Sequence, residues 1–286
     1  MADSPSHKLG EYIGDFFEDS IVKYLSDQIP KDYYLDYRHE RIARKGGKEV
    51  IGIDKDGNKH KLDIVIERNG SERAKGTIKA FIEMAWRRYK KHSKNKVQEI
   101  SGAIIPLINT YAREMPFYAA ILSGEFTENS IKQLESQGFY VLYFTYEEMC
   151  AVFESINVSI HWGEKTSEDY LQGIIDQMPE KNSSNYVALQ TAFLTQQHEK
   201  LQGLTNALLI SLNQKVTEIV VSPLHGTQNI LYSINDALTY INTYDENNTV
   251  PILRYEITVK YNTGVEYTMK CPDKKMAIQF LNGYIE

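Results

Sequence analysis

Residues 61–70, KLDIVIERNG, and residues 77–85, TIKAFIEMA, decide the fold. Both runs are rich in β-branched and aromatic residues. Asp56-Gly57-Asn58 stands before the first and Asn69-Gly70 follows it, so they read as strands over 61–67 and 77–85 joined through a turn. The second is apolar on both faces, the pattern of a central strand. Each strand carries one acid on an otherwise apolar face: Asp63 shares its face with Val65, and Glu83 with Phe81 and Ala85. Two adjacent strands can set these carboxylates side by side. Burying an unpaired carboxylate costs on the order of several kcal/mol, so each needs a cation or donors. Arg or Lys from elsewhere in the chain would make the pair structural. A divalent ion such as Mg²⁺, which takes oxygen ligands, polarises phosphate and lowers the pKa of bound water, would make it chemical.

Upstream, Ile13, Phe17, Ile21, Tyr24 and Gln28 recur at helical spacing, so a helix spans about 9–28 and Pro30 closes it. Glu11, Gly14 and Glu18 border its apolar face, and Gly14 permits a close approach one turn before Glu18. Short strands over 33–41 and 49–53 complete a meander with 61–67. Downstream, Ser93 starts a helix that passes through or kinks at Pro106, a strand follows at 117–123, Thr127 caps a helix that Gly138 ends, and 140–145 is a further apolar strand. A helix over 146–155 completes the set. The antiparallel start and parallel-looking finish predict an α/β domain with a mixed central sheet flanked by helices, over residues 1–165.

Residues 161–185 turn polar, and 179–184 is the best linker candidate. Residues 166–286 form a smaller α+β C-terminal unit of helices and a β-hairpin. Residues 186–215 are helical in period, 253–259 pairs with 265–269 across Asn262-Thr263-Gly264, and a last helix runs from Pro272-Asp273 to near Gly283. No internal repeat is evident. The unit's many tyrosines suit a core, a dimer surface or target recognition.

The 286 residues are 42% hydrophobic and 24% charged, with no apolar run near the ~20 residues of a membrane span, and the N-terminal residues lack a secretory pattern, which points to the cytoplasm. Cys150 and Cys271 stand far apart, excluding a disulfide framework or zinc spacing. His39, His60, His92 and His161 form no metal motif, and neither a nucleophile elbow nor a phosphate-binding GxxxxGK[ST] loop is present. A net charge of −6 argues against coating nucleic acid by bulk charge, yet two basic segments stand out, RHERIARKGGK over 38–48 and WRRYKKHSKNK over 86–96. Trp86, Arg87, Arg88 and Tyr89 alternate aromatic and cationic groups, which suits stacking and phosphate pairing as well as a strand emerging into solvent.

KLDIVIERNG, KGTIKAFIEMAWRRYKKHSKNKVQEI and FYAAILSGEFTENSIKQLESQGFYVLYFTYEEM together resemble the core of PD-(D/E)xK nucleases, the restriction endonuclease-like group, over roughly residues 9–155. The resemblance implies that Asp63 and Glu83 bind a catalytic metal, Mg²⁺ with Mn²⁺ as substitute, and that Glu18 is the first-helix acid that joins them. Two positions depart from the motif. Leu62 replaces a proline that is not a ligand, and Ala85 stands where the family has the lysine that orients the attacking water. An ammonium from the next helix, a catalytically silent relative or an engineered inactive variant would each explain Ala85. Among Lys91, Lys94 and Lys96, Lys96 is the expected substitute, its four-carbon stem spanning several Å, with Gln98 and Glu99 as supporting polar groups. The expectation is a metal-dependent DNA endonuclease of restriction or defence type. Its double-stranded DNA would be held by Arg87, Arg88, Lys91 and Lys94, and it would be a homodimer if both strands are cut symmetrically. The alternative is a silent nuclease-fold protein that binds DNA or assembles.

Overall fold

A computed structural model describes residues 4–224, 227–247 and 252–285. The first element, α1 (Pro5–Gln28), starts where the Ser4 side chain accepts from the His7 N–H, with Pro5 in the first turn, where its missing donor costs nothing. It buries Leu9, Ile13, Phe16, Phe17, Ile21 and Leu25 along one stripe. Then follow β1 (Tyr33–Tyr37), β2 (Val50–Ile53), β3 (Lys59–Leu62), β4 (Ile64–Arg68) and β5 (Thr77–Arg87). After these come α2 (Ser93–Thr110), which runs through Pro106, β6 (Phe117–Gly124), α3 (Glu128–Ser136), β7 (Tyr140–Thr145) and α4 (Tyr146–Glu154). Thr127 caps α3 by accepting from the Ser130 N–H.

The central sheet has the order β1-β4-β5-β6-β7. β1, β4 and β5 are antiparallel, and β5, β6 and β7 are parallel, which is the mixed α/β architecture expected. β5 is central and buried over most of its length. One face of the sheet packs Phe81, Ala85, Ala120 and Leu122 against Val97, Ile100, Ile104 and Leu107 of α2 and Leu134 of α3. The opposite face meets α1, where Phe17 lies edge-on to Phe144 of β7.

Two strands differ from the sequence expectation. The run 61–67 is two strands broken at Asp63: β3 pairs with β2 in a separate hairpin, and β4 enters the central sheet. The strand expected over 33–41 ends at Tyr37, because Arg41, fully buried, turns inward to Asp36 and Glu67.

The chain divides into compact units at Leu209/Ile210, not at the expected 165/166. The reason lies in α5 (Glu168–Ile175) and α6 (Ser184–Gln196), which belong with α1. Tyr186 Oη donates to Asp19 Oδ2 at 2.7 Å, and Tyr12 Oη donates to the Pro179 carbonyl at 2.6 Å, so the polar stretch 179–184 is a connection inside the first unit. The periodic run 186–215 is two helices, α6 and α7 (His198–Leu212), broken at Gln197.

The second unit contains β8 (Val216–Pro223), β9 (Asn229–Leu231), α8 (Ile234–Thr243), β10 (Tyr255–Tyr261), β11 (Glu266–Cys271) and α9 (Lys274–Asn282). Its sheet order is β11-β10-β8-β9. The predicted hairpin and last helix are present, whereas β8, β9 and α8 were not foreseen. A strand–strand–helix unit occurs twice, correcting the absence of a repeat. Glu218-Ile219 and Val221 match Glu256-Ile257 and Val259, the caps Ser233 and Asp273 correspond, and buried Ala237 and Ile241 match Ala277 and Leu281.

Candidate active site

Ile64 pairs with Ile82 across β4 and β5, which sets Asp63 and Glu83 at the next step of the ladder. There side chains replace backbone pairing. The Met84 N–H donates to Asp63 Oδ2 at 2.7 Å, and the Asp63 N–H donates to Glu83 Oε1 at 3.3 Å. Each carboxylate is thus tied to the other's strand by one oxygen, which both breaks the strand at Asp63 and fixes the two acids as a pair. Glu83 is 5% exposed. Among the described residues no hydrogen bond falls on Asp63 Oδ1 or Glu83 Oε2, so each acid keeps one oxygen for a further partner.

Burial drives the Asp63 carboxyl above its ordinary range, opposed by the Met84 N–H and by Lys96. Burial and then the Asp63 charge drive Glu83 upward as well. Glu18, on α1, is pushed up to about 7 by burial, then by Asp63 and Asp15. Trp86 packs beside Gly14, its Cβ 3.9 Å from where a side chain there would begin, an ordinary contact distance and not the close approach expected. Glu18 and Asp63 line the same cleft, of about 490 Å³, together with Ala85, Arg87 and Lys96.

Lys96, in the first turn of α2, is the one cation whose charge lowers both Asp63 and Glu83. Its side chain is 20% exposed, and its Nζ stands 3.7 Å from Glu99 Oε2. Ala85 is 4% exposed and packs in the α2-side core while bordering the cleft. Position 85 is therefore filled by packing, and an ammonium on the neighbouring helix, that of Lys96, lines the same cleft as Asp63 and ion-pairs with Glu99.

Of the predicted DNA-binding residues, Arg87 lines the cleft, half-buried, with Nη1 donating to the Trp86 carbonyl at 2.7 Å. Arg88 also lines the cleft, but its guanidinium is taken up by an aromatic cage. Its guanidinium lies 3.8 Å over Tyr146 and 5.1 Å from Trp162, and Nη2 donates to the Trp162 carbonyl. Lys91 pairs with Glu164, and exposed Lys94 does not border the cleft. Gln98 and Glu99 are also exposed.

A second cleft, of about 610 Å³, is also lined by Asp63 and Glu18, with Asp15, Arg38, Lys48, Glu49 and Lys61 among its other walls. The sequence flagged the run 38–48 as basic, but only the fold of β1 and the β2–β3 hairpin turns Arg38 and Lys48 towards the acids.

The donor set suits Mg²⁺. Asp63 and Glu83 offer two mutually repelling, desolvated carboxylates with an oxygen each unspent, and Glu18 faces Asp63 across the cleft. Among the described residues no three His, Cys, Asp or Glu side chains close into a ready-made cage. That is compatible with an ion that keeps several of its waters. A different cluster, Cys150 Sγ to His161 Nδ1 at 3.6 Å and His161 Nε2 to Glu154 at 3.3 Å, has the order of a nucleophile, base and orienting acid. Burial pushes the Cys150 thiol up to about 11, which leaves it protonated and inert at neutral pH.

No protein-family model and no curated protein matches the chain. A solved structure titled "Protein of Unknown Function AF1548" is similar over 69% of this chain and 93% of its own, at 11% identity and a TM-score of 0.30. Likeness at that level fixes no chemistry. Among the described residues no helix is long and apolar enough to cross a membrane.

Proposed function

We propose that this chain is a metal-dependent endonuclease that hydrolyses phosphodiester bonds of DNA, with Asp63 and Glu83 as the metal-holding carboxylates, Glu18 assisting and Lys96 in the role of the displaced motif lysine. The observation that carries this is the cross-strand tie of half-buried Asp63 and buried Glu83, like charges held together, with the charge of Lys96 opposing the rise of both. A desolvated like-charged pair persists when its use outweighs its cost, and raised carboxyls beside a cleft are a mark of a functional site. Bound there, Mg²⁺ or Mn²⁺ supplies polarisation of the phosphate and a water of lowered pKa. Asp63 and Glu83 hold their oxygens in place through the strands, Glu18 closes the α1 side, and Lys96 steadies the attacking water or a non-bridging phosphate oxygen. Cutting both strands symmetrically favours a homodimer, and restriction or another DNA defence is the setting such an activity serves.

Digestion of plasmid and phage DNA in Mg²⁺ and Mn²⁺, beside Asp63→Asn and Glu83→Gln, tests this. Discrete fragments that need the metal and vanish in both variants are expected. Uncut DNA under all conditions would remove the proposal. The packed Ala85 favours one second reading, a silent nuclease fold that binds DNA, for which a gel shift without cleavage is the signature.

A further inference from the structure

The two clefts share Asp15, Glu18 and Asp63, so these carboxylates do not stand at the end of a pocket but between two clefts, one on either side. On one side the cations are Arg87, Arg88 and Lys96, of which Arg88 is engaged by the Trp162 carbonyl. On the other they are Lys181 and the exposed Arg38, Lys48 and Lys61. Arg38 is close enough to draw down the carboxyls of both Asp15 and Glu18, yet it makes no hydrogen bond or ion pair at contact distance among the described residues. Lys48 and Lys61 engage Glu40 and Glu49 at 3.4 Å each, with both partners largely in solvent. Exposed pairs of this kind are worth about 0–1 kcal/mol and exchange readily for a phosphate. Lys181, by contrast, is held by Asp19 at 2.6 Å.

We propose that Arg38, Lys48 and Lys61 form a phosphate-holding subsite for the nucleic-acid strand on the β1–β3 side of the carboxylates, so that the strand crosses Asp63 and Glu83 and does not terminate on them. This rests on the nuclease reading of the site. The chemistry is complementary on both sides: the acids between the clefts take the cation, and the cations on either side take the backbone phosphates of the same strand. A guanidinium matches a phosphate through two parallel N–H donors, and two ammonium groups add charge at less defined angles. A strand held on both sides of the carboxylates needs no free end, so a covalently closed circle is as good a substrate as a linear duplex.

The test uses the full chain with the charge-removing triple variant Arg38→Gln, Lys48→Gln, Lys61→Gln. A control carries Lys31→Gln, Lys45→Gln and Lys132→Gln, none of which lines either cleft. Binding to a fluorescent DNA duplex is measured in Ca²⁺ over a range of salt, and nicking of closed circular plasmid in Mg²⁺. The unsubstituted chain and the control bind alike and cut the circle. The triple variant unfolds at the same temperature but binds at least about tenfold more weakly at low salt. Its slope of log affinity against log salt is shallower by about 2–3, since each lost duplex phosphate contact removes about 0.9. If the unsubstituted chain binds and cuts and the triple variant matches it in affinity and slope, the subsite is overturned while the nuclease reading stands. A chain that cuts only from free ends overturns the crossing strand. No binding or cutting by the unsubstituted chain overturns both.

Discussion

Asp63 and Glu83 could be seen as a pair in the sequence because each interrupts an apolar face, but the form of their contact could not. The backbone N–H of one residue satisfies the carboxylate of the other, an arrangement that alternation alone does not encode. Their raised carboxyls, with Glu18 at about 7, carry a consequence for stability. A carboxyl whose folded pKa exceeds its unfolded value of about 4 holds its proton more tightly when folded. Its contribution is complete below the unfolded value and is lost as pH rises through the folded one. Without divalent ions, the protein therefore loses stability between about pH 4 and 8. Glu83→Gln, which keeps an acceptor for the Asp63 N–H and removes the repulsion, is expected to flatten that decline and to stabilise at pH 8 by on the order of 2 kcal/mol in urea titrations. A variant less stable than the parent at pH 8 would show that the pair does not repel. At Lys96, truncation to Ala should lower DNA cleavage about 100-fold or more while leaving metal affinity in place. Unchanged cleavage would leave the lysine role vacant.

At the scale of elements, the alternation of helices and strands was legible because the periods 3.6 and 2 reflect burial on one face, and α1, α2, α3, β5, β6 and β7 all follow it. The break between β3 and β4 was not, since the residues on both sides of Asp63 are equally good strand formers and only the side-chain ties to β5 divert the chain. Arg41 also escaped the sequence. It sits in the basic run 38–48, yet it is buried, with Nη1 at 2.6 Å from Asp36 Oδ2, Nη2 at 2.8 Å from Glu67 Oε2, and further bonds to the Ser71 and Ala74 carbonyls. This guanidinium pins β1 and β4 to the turn before β5. Arg41→Met, which leaves two buried carboxylates short of a partner, is expected to cost about 3–5 kcal/mol in chemical denaturation. A loss below about 1 kcal/mol would mean that Arg44 and the Gly76 N–H suffice for Asp36 and Glu67.

For the whole molecule, composition bounded the fold class well and the boundary poorly. A polar stretch looks like a linker whether it joins two units or two helices of one, and the polar residues 179–184 do the latter. The duplicated strand–strand–helix unit of the C-terminal part stayed hidden because its two copies differ in most surface residues and in the length of the first strand connection. Only caps and core positions correspond. Since the first unit holds its own core, a chain ended after Gln214 should keep the cooperative unfolding and metal response of its carboxylates. The chemistry stands on whether Asp63 and Glu83 take a divalent cation, and calorimetric titration of Mn²⁺ into the full chain at pH 8 measures this most directly. Saturable binding with proton release, abolished by Asp63→Asn and strongly weakened by Glu83→Gln, is the expected result. Absence of binding at millimolar Mn²⁺, or equal binding in both variants, would contradict it.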